Sequence, residues 1–179
     1  TYAAPEYIKN IFPEVEDYCQ WNKHNYDQII ADNNTYYKGI DLFETNPGFF
    51  NIFSYQFIEG SPVNALSDNS VILSEHTAKK FFGDKKALGS QLIGKTRGSE
   101  RIFTVSGVVT QPGESHINFD LLTLINGKEL RGTEAYLLLK ENTDQRKLEE
   151  KLNLQKSTIP FFWEGRTVNL YLNDLKSIN

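Results

Sequence analysis

Residues 49–120 decide the fold, and they read FFNIFSYQFIEGSPVNALSDNSVILSEHTAKKFFGDKKALGSQLIGKTRGSERIFTVSGVVTQPGESHINFD. Just before this stretch, Asn46 is a suitable N-cap and Pro47 a suitable first helical residue. We therefore predict a short helix over Pro47–Phe53. Farther along, the apolar run Val71–Leu73 predicts a brief buried strand.

A second helix follows that strand directly. Ser74 is a favoured N-cap residue, and the next eight residues, Glu75–Phe82, carry apolar side chains at helical spacing. Gly83 then provides a residue that tolerates positive φ, as helix C-caps require. The sequence therefore predicts a helix over Glu75–Phe82, closed at both ends by local signals.

Gly89–Thr96 matches the phosphate-loop pattern letter for letter. That pattern binds phosphate when a buried strand enters the loop and a helix leaves it. Here the polar turn Asp84–Leu88 comes before it, and the strand-like segment Arg101–Thr110 comes after it. We therefore predict a hairpin, in which strand Gln91–Ile93 is joined to the later strand by the turn Gly94–Glu100.

The residues before this stretch predict a helix and then a small meander. Tyr7, Ile8, Ile11 and Phe12 share one helical face, so Ala4–Phe12 predicts a helix that Pro13 ends. Three strands are expected after it. They are Val15–Lys23, Tyr26–Ala31 and Thr35–Phe43.

The residues after it add one helix and two strands. Ala135–Lys140 is an apolar run typical of a strand buried on both faces. Asn142–Asp144 can cap a helix whose apolar stripe is expected to contain Leu148, Leu152 and Leu154. Thr167–Leu172 alternates apolar and polar residues and predicts a closing strand. Strands and helices without a regular βα repeat indicate an α+β fold.

Composition excludes several function classes. The chain has 179 residues, 39% of them hydrophobic, which is enough for a packed core and argues against disorder. The net charge of −4 is spread without a basic stripe, so nucleic acid is not an expected partner. No apolar run is long enough to span a membrane, and these residues contain no signal-peptide h-region. Because the chain contains no Met, we expect a processed product or a segment of a longer protein.

The sequence carries no recognisable catalytic or metal-binding pattern. His24, His76 and His116 are isolated, and Cys19 has no partner cysteine. Metal sites and nucleophilic catalysis need such groups at defined spacings. We therefore predict no catalytic residues, no metal, no cofactor and no enzymatic activity.

Aromatic residues are the remaining functional signal. Phe161, Phe162 and Trp163 follow one another beside Pro160 and Gly165, and Tyr36 and Tyr37 form a second pair. Each group either packs into the core beneath a loop or forms an exposed apolar patch that binds a partner or ligand. We keep these five aromatic residues as candidate contact residues.

Several short motifs, taken in order, resemble the MacB-like periplasmic core domain of FtsX-like ABC transporter permeases, in the form abundant in Bacteroidota. The flanks Phe12–Glu16, Ala135–Lys140 and Tyr171–Ile178 are also similar, although Asn173 stands where the family usually has Pro. The core motifs are Phe49-Phe50-x-x-Phe53, Glu59-Gly60-x-Pro62-x-x-Ala65-Leu66, Ser74-Glu75-x-x-Ala78-Lys79-Lys80-x-Phe82-Gly83-Asp84, Leu88-Gly89, Phe103-x-Val105-x-Gly107-Val108 and Ser115-His116-Ile117-x-Phe119-Asp120.

The resemblance implies a domain on the periplasmic side of the inner membrane, anchored by helices of the full-length protein. It implies two subdomains, a porter-like part from residues 1–45 and 131–179 and a sabre-like insertion from residues 46–130. Partners implied are the permease's membrane helices, a cytoplasmic ATP-binding domain or subunit, a second permease copy, and a periplasmic adaptor or lipoprotein.

Two functional hypotheses follow. The first is a transporter domain that transmits ATP-driven conformational change and contacts a periplasmic partner or substrate. The alternative is a stand-alone secreted or surface module that binds a ligand through its aromatic patch. Tight binding of ATP-Mg by this chain would contradict the first hypothesis.

Overall fold

The computed structural model describes residues 3–31, 34–110, 117–125, 134–160 and 169–175. The chain divides into two compact units, the first formed by residues 1–20 with 127–179 and the second by residues 21–126. We predicted the edges after residues 45 and 130. The assignment of porter-like and sabre-like parts stays a prediction.

The described residues form α-helices and β-strands in mixed order, numbered here along the chain. The helices are α1 (Ala4–Ile11), α2 (Phe49–Ile52), α3 (Glu75–Phe82) and α4 (Gln145–Leu154). The strands are β1 (Val15–His24), β2 (Gln28–Ala31), β3 (Thr35–Tyr37), β4 (Leu42–Thr45), β5 (Gln56–Gly60), β6 (Ser70–Ser74), β7 (Gln91–Thr96), β8 (Ser99–Thr110), β9 (Leu121–Leu124) and β10 (Glu134–Leu139).

The second unit is built on a mixed sheet. Its strand order is β1-β4-β9-β6-β8-β7-β2-β3, where β1 contributes its last four residues and β5 pairs with β8. The pairs β4/β9 and β6/β8 are parallel and the other pairs within this unit are antiparallel. Together with the helices this confirms the predicted α+β class.

Helix α3 covers one face of this sheet, and its N-terminus is fixed by a small network. As predicted, Ser74 is the N-cap, and its Oγ accepts from the Thr77 amide at 3.2 Å. The Thr77 hydroxyl donates to the Asp120 carboxylate at 2.7 Å, and the other carboxylate oxygen accepts from the Asp41 amide at 2.9 Å. The Asp120 carboxylate therefore ties α3 to the starts of β4 and β9.

The core between α3 and the sheet is built mainly from apolar side chains. Phe81 and Phe82 on the helix face Val71, Leu73 and the other inward side chains of the strands. The buried members are Ile29, Ala31, Ile40, Leu42, Val71, Leu73, Ala78, Phe81, Phe82, Ala87, Leu92, Phe103, Val105, Val108 and Leu121.

The Phe-Phe-x-x-Phe motif forms an aromatic cluster in the same unit. Phe49 is fully buried, with its ring centroid 5.0 Å from that of Phe53 and 5.3 Å from that of Tyr55. Phe119 lies 5.5 Å from Tyr55, and the Tyr55 hydroxyl donates to the Ile117 carbonyl at 2.9 Å. The motif is therefore explained by packing.

The first unit has its own core. Strand β10 is the neighbour of β1, and α1 and α4 bury apolar stripes against Phe12, Val15 and Ile159. The buried members are Ala4, Ile8, Phe12, Val15, Leu148, Leu152 and Ile159, with Tyr7, Leu137, Leu139, Leu170 and Leu172 partly buried against them.

Two predicted elements of the second unit were wrong in detail. Helix α2 begins at Phe49, because the Phe49 amide donates to the Asn46 carbonyl at 3.1 Å and Pro47 occupies the resulting turn. The single strand predicted over Thr35–Phe43 is two strands, β3 and β4. Gly39, with φ of +65°, turns the chain between them.

Three predictions in the first unit also need correction. Leu154 is 84% exposed, because it follows Leu152 by two residues and so lies on the opposite side of α4. Strand β10 is only half-buried or exposed along its length. Residues 169–172 form no strand, while Thr167 and Val168 lie outside the described residues.

Candidate contact surface

The hairpin predicted at the phosphate-loop-like segment is present, with residues 91–96 as strand β7. The turn predicted over Gly94–Glu100 is shorter than expected, because β7 continues to Thr96 and β8 begins at Ser99. The residues of β7 pair with β8 in the register Gly94 opposite Arg101, Lys95 opposite Glu100 and Thr96 opposite Ser99. The Lys95 ammonium lies 2.6 Å from the Glu100 carboxylate, and this hydrogen bond raises the pKa of Lys95. Backbone amides committed to a sheet cannot converge on a phosphate group.

Gly94 has a structural role within that segment. A Cβ added there would lie 2.7 Å from the Tyr26 ring, so the missing side chain makes room for the tyrosine. The Tyr26 ring in turn packs edge-on against Phe103, with 6.0 Å between centroids. The glycine is therefore needed for packing.

The two predicted tyrosines have different surroundings. The ring of Tyr37 lies 4.3 Å from that of Phe81, and its hydroxyl donates to the Lys80 carbonyl at 3.2 Å, so it packs against the core. Tyr36 points to the other side of the sheet and is 60% exposed. Phe161, Phe162 and Trp163 lie outside the described residues.

Tyr36 belongs to a row of apolar side chains that crosses four strands. Ile30 pairs with Tyr36 on β3 and with Ile93 on β7, and Ile93 pairs with Ile102 on β8. Directly paired residues project from the same face of a sheet. Their neighbours in sequence, Ile29, Leu92 and Phe103, belong to the core beneath α3. Because neighbouring residues in a strand point to opposite faces, the row lies on the face opposite α3.

The outer row, defined as Tyr36, Ile30, Ile93 and Ile102, has an apolar centre and a polar border. Ile102 is 54% exposed, Ile93 is half-buried and Ile30 is buried. Polar residues lie two positions along the strands from the row, on the same face. One border is formed by Gln28, Lys95 and Glu100, and the other by Gln91 and Thr104. Protein interfaces commonly combine an apolar centre with such a polar rim.

Sequence reasoning missed the three isoleucines of the outer row. Each of them alternates with a core residue in its own strand, which is the available signal. Their alignment depends on the register between β3, β2, β7 and β8, which single strands do not reveal.

A polar cluster lies on the face that α3 covers. The Glu44 carboxylate, with its side chain 8% exposed, lies 3.7 Å from the Arg101 guanidinium and 4.0 Å from His24 Nδ1. Burial raises the pKa of Glu44, while His24 and Arg101 lower it. Burial also raises the pKa of nearby Tyr26. Arg101 further stacks 4.7 Å above the Phe103 ring.

The histidines and the cysteine form no metal-binding group in the described part of the chain. No three His, Cys, Asp or Glu side chains come together there as ligands would. His76 is exposed on α3, and His116 lies outside the described residues. Cys19 is buried, and the chain has no second cysteine with which it could form a disulfide. Among the described helices, none has the length and apolar content needed to cross a membrane.

Comparison with known proteins gives one family. The family model of MacB-like periplasmic core domains matches residues 1–154. A search of curated proteins found no match.

Three solved structures are similar to this chain. A domain assigned to a permease protein of Porphyromonas gingivalis is 25% identical, with a TM-score of 0.75, covering 90% of this chain and 71% of that one. The periplasmic region of MacB from Actinobacillus actinomycetemcomitans is 16% identical, with a TM-score of 0.68, covering 87% and 72%. The extracellular domain of the noncanonical ABC-type transporter YknZ from Gram-positive bacteria is 18% identical, with a TM-score of 0.60, covering 86% and 82%. The last two likenesses concern the fold alone.

Proposed function

Because this chain belongs to the family of MacB-like periplasmic core domains, we propose that it transmits ATP-driven conformational change outside the membrane and contacts a periplasmic partner. Domains of this family are extracytoplasmic parts of ABC transporter permeases, which pair with an ATP-binding subunit.

The proposed working surface is the outer row. Ile102 and Tyr36 are more than half exposed at its two ends, and the row continues between them through Ile93 and Ile30. Exposed apolar side chains at both ends of a continuous apolar row favour a surface that another protein covers. This row is the single observation that carries the contact proposal.

The two compact units support a proposal about subdomains. The unit of residues 1–20 and 127–179 is built from both ends of the chain, as expected of the porter-like part. We propose that it corresponds to this part and that the unit of residues 21–126 contains the sabre-like insertion.

The proposal assigns no catalysis to this domain. The segment that matches the phosphate-loop pattern pairs as a strand, and within the described residues no metal-ligand group is present. ATP hydrolysis is proposed to take place in the ATP-binding subunit, with a permease dimer and a periplasmic adaptor or lipoprotein as further partners.

Site-specific photo-crosslinking in the intact permease with its ATP-binding subunit tests the contact proposal. A benzophenone amino acid replaces Tyr36 in the outer row, and a matched variant carries it in place of exposed Lys79 on α3, on the opposite side of the sheet. We expect Tyr36 to crosslink to a second polypeptide, with a yield that changes when the ATP-binding subunit cannot hydrolyse ATP. Lys79 should give no such product.

Substitutions on one strand provide a second test. Ile102→Asp places a charge in the outer row, whereas Thr104→Asp places one on the same face of β8 beside the row. We expect Ile102→Asp to abolish the Tyr36 crosslink and Thr104→Asp to preserve it. Equal crosslinking from Tyr36 and Lys79, or none from Tyr36, would contradict the proposed surface.

A further inference from the structure

Helix α4 holds an extended segment of the chain through polar side chains. The segment, Asn169–Leu172, is called the strap here. The Asn153 amide group donates to the Leu170 carbonyl at 2.8 Å and accepts from the Leu170 amide at 2.9 Å. One turn earlier, Glu149 accepts from the Leu172 amide at 2.8 Å, and Gln145 donates to the Leu172 carbonyl at 2.6 Å.

These side chains reproduce what a neighbouring strand would offer. Gln145, Glu149 and Asn153 are four residues apart, so they lie in one line along α4. They satisfy the amide and carbonyl of alternate strap residues, which is the pattern along one edge of a strand. The strap runs antiparallel to the helix, and Lys156 continues the contact by donating to the Asn169 side chain at 3.2 Å.

The apolar contacts of the strap follow the same alternation. Leu170 and Leu172 are partly buried against the core that contains Leu148 and Leu152 of α4. Tyr171 between them is 72% exposed. The helix therefore contacts Leu170 and Leu172, and the Tyr171 side chain between them points to solvent.

We propose that this face of α4 is a peptide-binding groove, and that the strap is its resident, exchangeable occupant. The groove, formed by Gln145, Glu149, Asn153, Leu148 and Leu152, binds the backbone of an extended segment and two apolar side chains separated by one residue. Its ligand class is an extended peptide with leucine-like residues at positions i and i+2, of any sequence between them.

The nature of the contacts argues for exchange. In the described residues the strap pairs with no strand, so releasing it breaks hydrogen bonds to side chains of α4 and uncovers Leu170 and Leu172, but it breaks no described strand pair. Gln145 is exposed, and Glu149 and Asn153 are half-buried, so water can replace the strap at each of them. Segments with few buried contacts and accessible hydrogen bonds are the first to open.

Hydrogen exchange on the full 179-residue chain tests how the strap is held. Asn153→Ala removes both contacts to Leu170, and Glu150→Ala is a matched control at an exposed α4 position outside the groove. We expect the amide of Leu170 to exchange at least about tenfold faster in Asn153→Ala, consistent with the loss of two hydrogen bonds. The control should match the parent chain, as should the core amides of Leu148 and Leu152. Unchanged exchange at Leu170 would overturn the proposal.

A peptide added in trans tests the groove itself. The full chain carries Leu170→Asp and Leu172→Asp to release its own strap, and the probe is a fluorescent peptide Asn-Leu-Tyr-Leu-Asn-Asp-Leu copied from residues 169–175. We expect saturable binding, retained when the tyrosine of the peptide is replaced by alanine. Binding should be lost when its leucines are replaced by proline, which has no amide hydrogen.

Adding Asn153→Ala to the released chain separates groove binding from other association. We expect it to weaken peptide binding at least about tenfold, by the loss of the two hydrogen bonds to one residue. Circular dichroism establishes that α4 remains folded in each variant. No binding to a folded, strap-released chain, or binding that Asn153→Ala leaves unchanged, would overturn the proposal.

Discussion

At the scale of single residues, Glu44 is an acidic side chain that the fold buries. Its carboxylate is buried beside Arg101 and His24, but both are farther than hydrogen-bonding distance, at 3.7 and 4.0 Å. Burial favours the neutral acid and raises the pKa of Glu44, and the neighbouring His24 and Arg101 only partly oppose this. The stability of the second unit should therefore depend on pH through this residue.

The direction of that dependence is testable with Glu44→Gln. Because folding raises the pKa of Glu44 above its ordinary value of 4.5, its contribution to stability is fully present below that pH. It is lost as pH rises through the raised pKa. Glutamine stays neutral, so we expect the Tm of Glu44→Gln to exceed that of the parent chain increasingly as pH rises from 4 to 8.

Thermal unfolding at stepped pH values measures the effect, and Glu150→Gln on the exposed side of α4 is the control. The control should show no growing Tm difference. A Tm difference for Glu44→Gln that shrinks as pH rises would contradict the assigned cause.

Gly94 gives a second prediction at this scale. Its Cα–H faces the Tyr26 ring, and a Cβ would approach that ring to 2.7 Å. We expect Gly94→Ala to lower the free energy of unfolding by about 1–3 kcal/mol through overpacking. In a Tyr26→Ala background the same change should cost less than about 0.5 kcal/mol. Urea unfolding of the four variants of this cycle measures the coupling, and equal costs in both backgrounds would contradict it.

At the scale of elements, boundaries set by local chemistry were predictable. Helix α3 spans Glu75–Phe82 with the Ser74 cap and a positive φ of 64° at Gly83, because the cap and the glycine act within a few residues. The split of Thr35–Phe43 into β3 and β4 was missed, because both halves are rich in strand formers. The turn between them uses the positive φ of Gly39 and the hydrogen bond from the Asp41 amide to distant Asp120.

Helix α4 offers a matched pair of leucines for a prediction about its packing. Leu152 is 1% exposed in the core of the first unit, and Leu154, two residues later, is 84% exposed. We expect Leu152→Ala to lower the free energy of unfolding by about 2–4 kcal/mol and Leu154→Ala to change it by less than about 0.5 kcal/mol. Urea denaturation measures both, and similar losses from the two variants would show that Leu154 is packed after all.

At the scale of the whole molecule, strand register creates the surface that single strands do not display. Tyr36 was predicted as a contact residue from its aromatic character, but Ile30, Ile93 and Ile102 join it only because β3, β2, β7 and β8 align in one register. Tyr37, which was predicted as a contact residue together with Tyr36, faces the core because neighbouring residues in a strand point to opposite faces.

At this scale we also expect that the chain does not bind nucleotide. Gly89–Thr96 has the letters of a phosphate loop, but residues 91–96 pair with β8 and Lys95 is held by Glu100. We expect isothermal titration calorimetry with ATP-Mg to detect no binding, for the parent chain and for Lys95→Ala alike. Saturable binding that Lys95→Ala removes would contradict this, and it would also contradict a transmission domain whose ATP site is in another subunit.

By itself the sequence determined the α+β class, the α3 helix with its cap, the strand character of the phosphate-loop-like segment and the family resemblance. All of these depend on residues that act on near neighbours in the chain. Only the tertiary structure decided that Glu44, His24 and Arg101 share one polar cluster, that four apolar side chains form the outer row, and that Leu170 and Leu172 lie on α4. These groupings join residues far apart in sequence. Their physical cause is strand register and packing between elements, which local preferences do not encode.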